Sequence, residues 1–213
     1  MPILIRRTQP RRVDCAGTVA WLAGCLRPRR SAACLFVLLL ACVTCETWAQ
    51  PMPRGSEEVS LEYAVKATYL YKLAPFVNWP PQEFATPDAP FTICVVGADP
   101  FDDFLVKAVA GRRLGAHPYQ VRALDALTPD VDCQIAFIGR LSSQTVQQAL
   151  SAVSGKPVLT VVDSAESGAG GIVRFVIKQG RVGFEIDTVA AERNHLTISS
   201  KLLSLALAVR GPS

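Results

Sequence analysis

The sequence predicts an α/β domain built on a mixed, mostly parallel β-sheet flanked by helices, with an antiparallel hairpin at its C-terminal edge. Three observations carry this. The short apolar runs 91–96 (FTICVV), 133–138 (CQIAFI) and 158–162 (VLTVV) have strand length and no sustained polar alternation, the mark of strands buried on both faces. Helix-like segments separate them, which is the β-α-β order of a parallel sheet. Near the end, 172–178 and 182–186 flank Gln179-Gly180-Arg181, a hairpin signal. Residues 59–213 read as one domain, 50–58 as a Pro-rich tether and 1–49 as a cleaved leader.

The leader is read from charge and length. Arg6, Arg7, Arg11, Arg12, Arg27, Arg29 and Arg30 precede the uncharged run 31–44 (SAACLFVLLLACVT). That run is shorter than the roughly 20 residues a helix needs to span a bilayer. A basic segment, a short apolar segment and a small-residue exit describe a secretory signal peptide, with cleavage after Ala49. A buried core helix and a single-pass anchor are the alternatives. Leu39-Leu40-Ala41-Cys42 resembles a bacterial lipobox, which makes Cys42 a candidate lipidation site. The basic segment is long for a signal, and the expected start codon lies inside it.

The spacing predicts a first helix over 59–77, with Ser60 as cap and Leu61, Val65, Tyr69, Leu73 and Phe76 on its apolar face. Glu62 and Lys66 are an i, i+4 pair. Pro75 bends or stops the helix, and Asn78-Trp79-Pro80-Pro81 is a stiff exit. After the strand 91–96, Asp99 and Pro100 have the chemistry of a helix start running to Ala110. Residues 111–115 form a turn and 119–124 a half-buried strand. Ser142 or Ser143 caps a helix to about Val153. Ser199 caps a C-terminal amphipathic helix over 199–209. In such a sheet the first strand is central, which puts Cys94 and Cys133 on adjacent strands or strand ends.

Composition narrows the function. Seven of the 22 Lys and Arg residues and two of the 18 Asp and Glu residues lie in 1–49, so the remainder is near −1 although the whole chain is +4. The basic character belongs to the leader, no electrostatic argument for nucleic-acid binding survives, and no nucleic-acid partner is expected. Of seven cysteines, only Cys94 and Cys133 lie beyond the leader. In an exported domain they read as one disulfide, with two separate buried thiols as the alternative. Neither has a Cys or His at metal-ligand spacing.

Catalytic signals are weak, and the domain is read as non-enzymatic, with no cofactor and no metal. His117, before a proline, reads as a solvated loop residue. His195 precedes Ser199 and Ser200, but no Gly-x-Ser-x-Gly elbow accompanies it. Asp163 and Glu166 stand before Gly168-Ala169-Gly170-Gly171, yet a strand rather than a helix follows, so a phosphate cradle lacks its context. Glu185 and Asp187 alternate with core positions and read as surface. Tyr63, Tyr69, Tyr71, Phe76 and Trp79 crowd one helix and its exit. Packing against the sheet is one reading. The other is a partner-binding or dimer patch, for which Tyr69, Tyr71, Phe76 and Trp79 are the candidates.

Taken in order, several motifs resemble the YfiR-type periplasmic proteins. They are Lys66-Ala67-Thr68-Tyr69-Leu70-Tyr71-Lys72 with Phe76-Val77-Asn78-Trp79-Pro80; 91–97 with Pro100-Phe101; Cys133 with 135–138; 157–161; 170–173; 182–186; and 198–203. Together they cover about residues 60–209. The resemblance implies a periplasmic repressor that binds the sensing domain of an inner-membrane diguanylate cyclase and lowers cyclic di-GMP and biofilm formation. It also implies an outer-membrane peptidoglycan-binding lipoprotein that sequesters the repressor. Cys94 and Cys133 align with the structural disulfide of that family. A second cysteine pair found in some members is missing, and Asp187 replaces a common Asn. A periplasmic small-ligand-binding or sensor module is the second class, with its crevice at the carboxyl ends of the strands.

Overall fold

The structure is a computed structural model that describes residues 54–163 and 170–211. The leader, Cys42, the first tether residues, Glu166 and Gly168 lie outside the described residues. Helix α1 (Arg54–Leu73) passes through a 3-10 turn (Ala74–Phe76) into β1 (Val77–Asn78), and a second 3-10 turn (Pro81–Glu83) leads to β2 (Phe91–Val96). Then come α2 (Phe104–Val109), β3 (Arg113–Leu114), β4 (His117–Leu124), β5 (Ile135–Ile138), α3 (Val146–Ala152) and β6 (Leu159–Val162). The chain ends through β7 (Val173–Lys178), β8 (Arg181–Asp187), α4 (Thr188–Arg193), β9 (Thr197–Ile198), α5 (Ser200–Leu203) and β10 (Ala208–Arg210).

Eight of these strands form one sheet in the order β10-β8-β7-β6-β5-β2-β4-β3, and β1 pairs with β9 apart from it. The pairs β4/β2, β2/β5, β5/β6, β6/β7 and β8/β10 are parallel. The pairs β7/β8 and β3/β4 are antiparallel. This is the mixed, mostly parallel α/β sheet the apolar runs predict. The hairpin between β7 and β8 turns on Gln179 and Gly180, both at positive φ (51° and 69°), as a tight two-residue connection requires.

The handedness of crossovers places the helices. Chain passes from β2 through α2 to β4 on one side, and from β5 through α3 to β6 on the other. Both crossovers are expected to be right-handed, so α2 and α3 must cover opposite faces. Burial agrees. Leu105 and Val109 of α2 pack with Ile93, Val95 and Phe137, together with Ala67, Leu70 and Leu73 of α1. Ala149 of α3, with Val153, packs with Val96, Ala136, Ile138 and Val162.

Several boundaries differ from expectation for physical reasons. Helix α1 starts at Arg54, inside the expected tether, so Ser60 is no cap. It stops at Leu73, with Pro75 in the following 3-10 turn. Its buried stripe is not the expected row: Leu61 is 67% exposed, whereas Lys66, Ala67 and Leu70 are fully buried. A charged residue defines the inner face, which a count of apolar positions misses. Asp99 accepts the Phe101 N–H (2.8 Å) and caps only a turn; α2 begins at Phe104, after Asp102 at φ 48°. Helix α3 is capped not by Ser142 or Ser143 but by Thr145, in a capping box with Gln148.

The C-terminal leucines do not form one long helix. Ser199 caps α5 as expected, accepting the Leu202 N–H, but α5 ends at Leu203 and β10 then adds beside β8. A short run apolar on all sides fits strand as well as helix. The expected solvated His117 lies instead in β4, its ring stacked on Phe84 (3.9 Å) and its Nδ1 2.8 Å from the Ala89 carbonyl oxygen.

Thr145→Ala is expected to cost about 1 kcal/mol in urea denaturation. Ser142→Ala, at the exposed position favoured by sequence, should stay within about 0.5 kcal/mol of the parent.

Candidate functional site

Helix α1 runs antiparallel to β2. Its Tyr63 packs edge-on against Phe101, just past the end of β2, and Trp79, beyond its other end, packs on Phe91 at the start of β2. The N-terminal half of α1 therefore lies over the carboxyl ends of the central strands. There it meets Asp163, the residue that follows β6. Lys66 Nζ donates to both Asp163 carboxylate oxygens, at 2.8 and 2.9 Å, and to Glu62 on its own helix. The same ammonium lies 4.6 Å from the centre of the Tyr63 ring.

Lys66 is wholly buried and Asp163 is 2% exposed. An isolated charge at such depth costs several kcal/mol, and only mutual pairing with further hydrogen bonds makes it tolerable. Tyr63 helps to supply them. Its hydroxyl bonds Asp163, and its pKa is pushed up to about 12, first by burial and then by the Asp163 charge. The phenol stays protonated while the folded domain persists below that range, so it remains a donor to the carboxylate. Sequence reasoning saw Glu62–Lys66 as an i, i+4 pair and Asp163 as a carboxylate between a strand and a Gly-rich segment, and did not join the two. The usable signal was a carboxylate placed directly after a wholly buried strand, opposite a lysine beside Ala67 and Leu70 on the inner helix face.

The cysteines lie on the other side of the sheet. Cys94 and Cys133 are bonded, with Cα atoms 5.9 Å apart and no exposed surface. Cys94 stands opposite Ala136 in the register, and alternation turns it toward the face that α3 covers. Beside it, Gln134 accepts the Thr92 N–H through its side chain (2.7 Å) and donates its own N–H to the Thr92 carbonyl (3.0 Å). This joins the approach to β5 to β2 around the bridge.

The four candidate aromatics pack against three parts of the core, with Tyr71 and Trp79 joined through Tyr119 and Phe91. Tyr69 packs on Phe175 and Phe184 of the hairpin, with ring centres 6.1 and 5.7 Å away. Tyr71 packs on Tyr119 of β4 (6.2 Å), whose hydroxyl donates to the Tyr71 carbonyl. Trp79 lies 5.0 Å from Phe91, and Phe76 lies under Lys201. All four are half-buried against the core. On α1 the exposed apolar side chains are Val59, Leu61 and Val65 instead.

Other polar residues singled out by sequence serve the fold. Glu185 pairs with Arg174 across the hairpin. Asp187 caps α4 through the Ala190 N–H (2.9 Å) and lies 3.4 Å from Arg210. His195 is exposed, at φ 56°, just past the end of α4. Among the described residues, no group of three or more His, Cys, Asp or Glu side chains could hold a metal ion. Among the same residues, no helix is long and apolar enough to cross a membrane.

A family model described as YfiR/HmsC-like matches residues 63–207, from Tyr63 of the buried cluster to Leu207 before β10. The match spans more than half of the 213 residues, and the chain belongs to this family.

Lys66→Met, which leaves the buried carboxylate without its cation, is expected to cost about 3–5 kcal/mol. Adding Asp163→Leu should recover most of that loss in the same urea titration. Reducing the Cys94–Cys133 bridge is expected to lower stability by about 2–4 kcal/mol. The Cys94→Ala/Cys133→Ala double variant should show the same deficit, with no further response to reductant.

Proposed function

We propose that this chain is a non-catalytic periplasmic protein that binds the sensing domain of an inner-membrane diguanylate cyclase and holds the enzyme off. At family level, YfiR/HmsC-like domains are periplasmic regulators of cyclic di-GMP signalling. The observation that carries the proposal is the family match across nearly the whole of the described domain. The leader read from sequence supports export, and cleavage after Ala49 delivers the domain to the periplasm. The engagement of Asp163, Glu185 and Asp187 in pairs and caps supports a role in binding over one in catalysis.

Repression requires tighter binding to the inactive conformer of the cyclase than to the active one, since equal affinity shifts nothing. A peptidoglycan-binding lipoprotein of the outer membrane that takes up the repressor relieves that bias by mass action. Self-association of the domain would compete for the same surfaces. For contact with the cyclase, the exposed pair Leu61 and Val65, one turn apart on α1, is a better candidate than the packed aromatics.

The test is recovery of membrane proteins on immobilised residues 50–213, with cyclic di-GMP measured in cells that have or lack the protein. A cyclase with a periplasmic domain should be recovered, and cyclic di-GMP should rise when the protein is removed. Leu61→Asp/Val65→Asp should reduce recovery roughly tenfold, the loss of about 1.4 kcal/mol at an interface, while leaving the fold intact. No cyclase recovered, together with an unchanged cyclic di-GMP level, overturns the proposal.

A further inference from the structure

The two crossovers that place α2 and α3 on opposite faces leave an opening where they diverge, between the carboxyl ends of β2 and β5. Open α/β sheets bind ligands at this kind of opening. Here it forms a crevice of about 230 Å³ whose walls come from four places in the chain. The residues after β2 supply Ala98, Asp99 and Pro100, those after β5 supply Gly139 and Arg140, α1 supplies Tyr63, and Asp163 lies at the end of β6.

The walls are held firmly. Ala98 and Arg140 form a backbone bridge, with the Ala98 N–H on the Arg140 carbonyl at 2.9 Å. The approach is close enough to require glycine on both sides. A Cβ on Gly97, which sits at φ +87°, would come within 2.4 Å of the Arg140 carbonyl oxygen, and one on Gly139 within 2.9 Å of the Ala98 carbonyl oxygen. The Phe101 N–H fixes one oxygen of Asp99 at 2.8 Å.

Both signs of charge line this space. Asp99 and Arg140 are exposed, and among the described residues neither forms an ion pair. Arg140 lies near enough to Tyr63 for its charge to act on the phenol. Asp163 lines the same space and is already matched by Lys66. A simple anion would face the acidic wall and a simple cation would face Arg140. A volume of this size holds roughly eight water molecules, the room for a small metabolite rather than a nucleotide.

We propose that this crevice binds a small zwitterion of amino-acid size, with its carboxylate on the Arg140 guanidinium and its cationic nitrogen on the Asp99 side. The site stands on its own geometry and does not depend on the cyclase reading. Occupation would tie the loops after β2 and β5 to Tyr63, and so to α1.

The experiment is a thermal-shift screen of mature-length protein, residues 50–213, against the twenty L-amino acids and glycine betaine, one compound at a time. Calorimetry then follows on each compound that binds. At least one zwitterion should raise the melting temperature, and Arg140→Met and Asp99→Asn should each weaken it at least tenfold. Asparagine keeps the turn at Asp99, and position 140 is exposed, so both variants should melt like the parent without ligand. The matching carboxylate without its amine, and the amine without its carboxylate, should not bind. No shift with any compound overturns the proposal. So does binding undiminished in both variants, or equal binding of a singly charged analogue.

Discussion

Every residue of β2, β5 and β6 is buried, and that requirement shapes the whole domain. A parallel strand sealed on both faces needs a cover on each. The right-handed crossovers supply those covers in only one way, with α1 and α2 over the aromatic-rich face and α3 over the other. The two faces differ in kind. The first packs Phe91, Phe101, Phe137 and Phe175 under α1 and α2. The second is thinner in apolar bulk and carries Cys94, Thr92, Gln134 and Thr160 among its smaller side chains. The bridge reinforces the face with the smaller core.

The Lys66–Asp163 pair is the exception that this arrangement accommodates. A methionine and a leucine could fill the space at similar or lower cost, so the pair is a poor device for stability alone. It does supply direction. An apolar helix can slide along an apolar sheet at modest cost, whereas a buried ammonium must stay within hydrogen-bond reach of its carboxylate. Lys66 therefore sets the register of α1 over the strand ends. It also sets where Tyr63 stands in the crevice and which side of α1, bearing Leu61 and Val65, faces outward.

A domain that acts by binding needs surfaces held on rigid supports. In this domain the supports are the buried strands, and the variable elements are the loops at their carboxyl ends. The Gly97 and Gly139 contacts clasp two of those loops together. The crevice and the outer side of α1 share Tyr63's helix, so a ligand at the first and a protein at the second would meet through one rigid element.

Much of this was legible in the linear chain, for local reasons. The runs 91–96, 133–138 and 158–162 are too short and too uniformly apolar to be surface elements, and Gln179-Gly180 demands a tight turn. The order of strands and helices then determined the sheet class. Boundaries were less legible where signals compete: Thr145, Ser142 and Ser143 all carry capping chemistry, and only packing selects one. The half-buried aromatics could be either an interface or a core margin, because their partners Phe175, Phe184, Tyr119 and Phe91 are distant in sequence. Lys66 and Asp163 are 97 residues apart. Burial of a charge is decided by what arrives opposite it, and no local pattern encodes that arrival. The sequence by itself determined the sheet, its hairpin and the two cysteines available to bridge. Tertiary structure alone decided which helix face is inside, which charges are buried and where the crevice opens, because each depends on groups brought together across the whole domain.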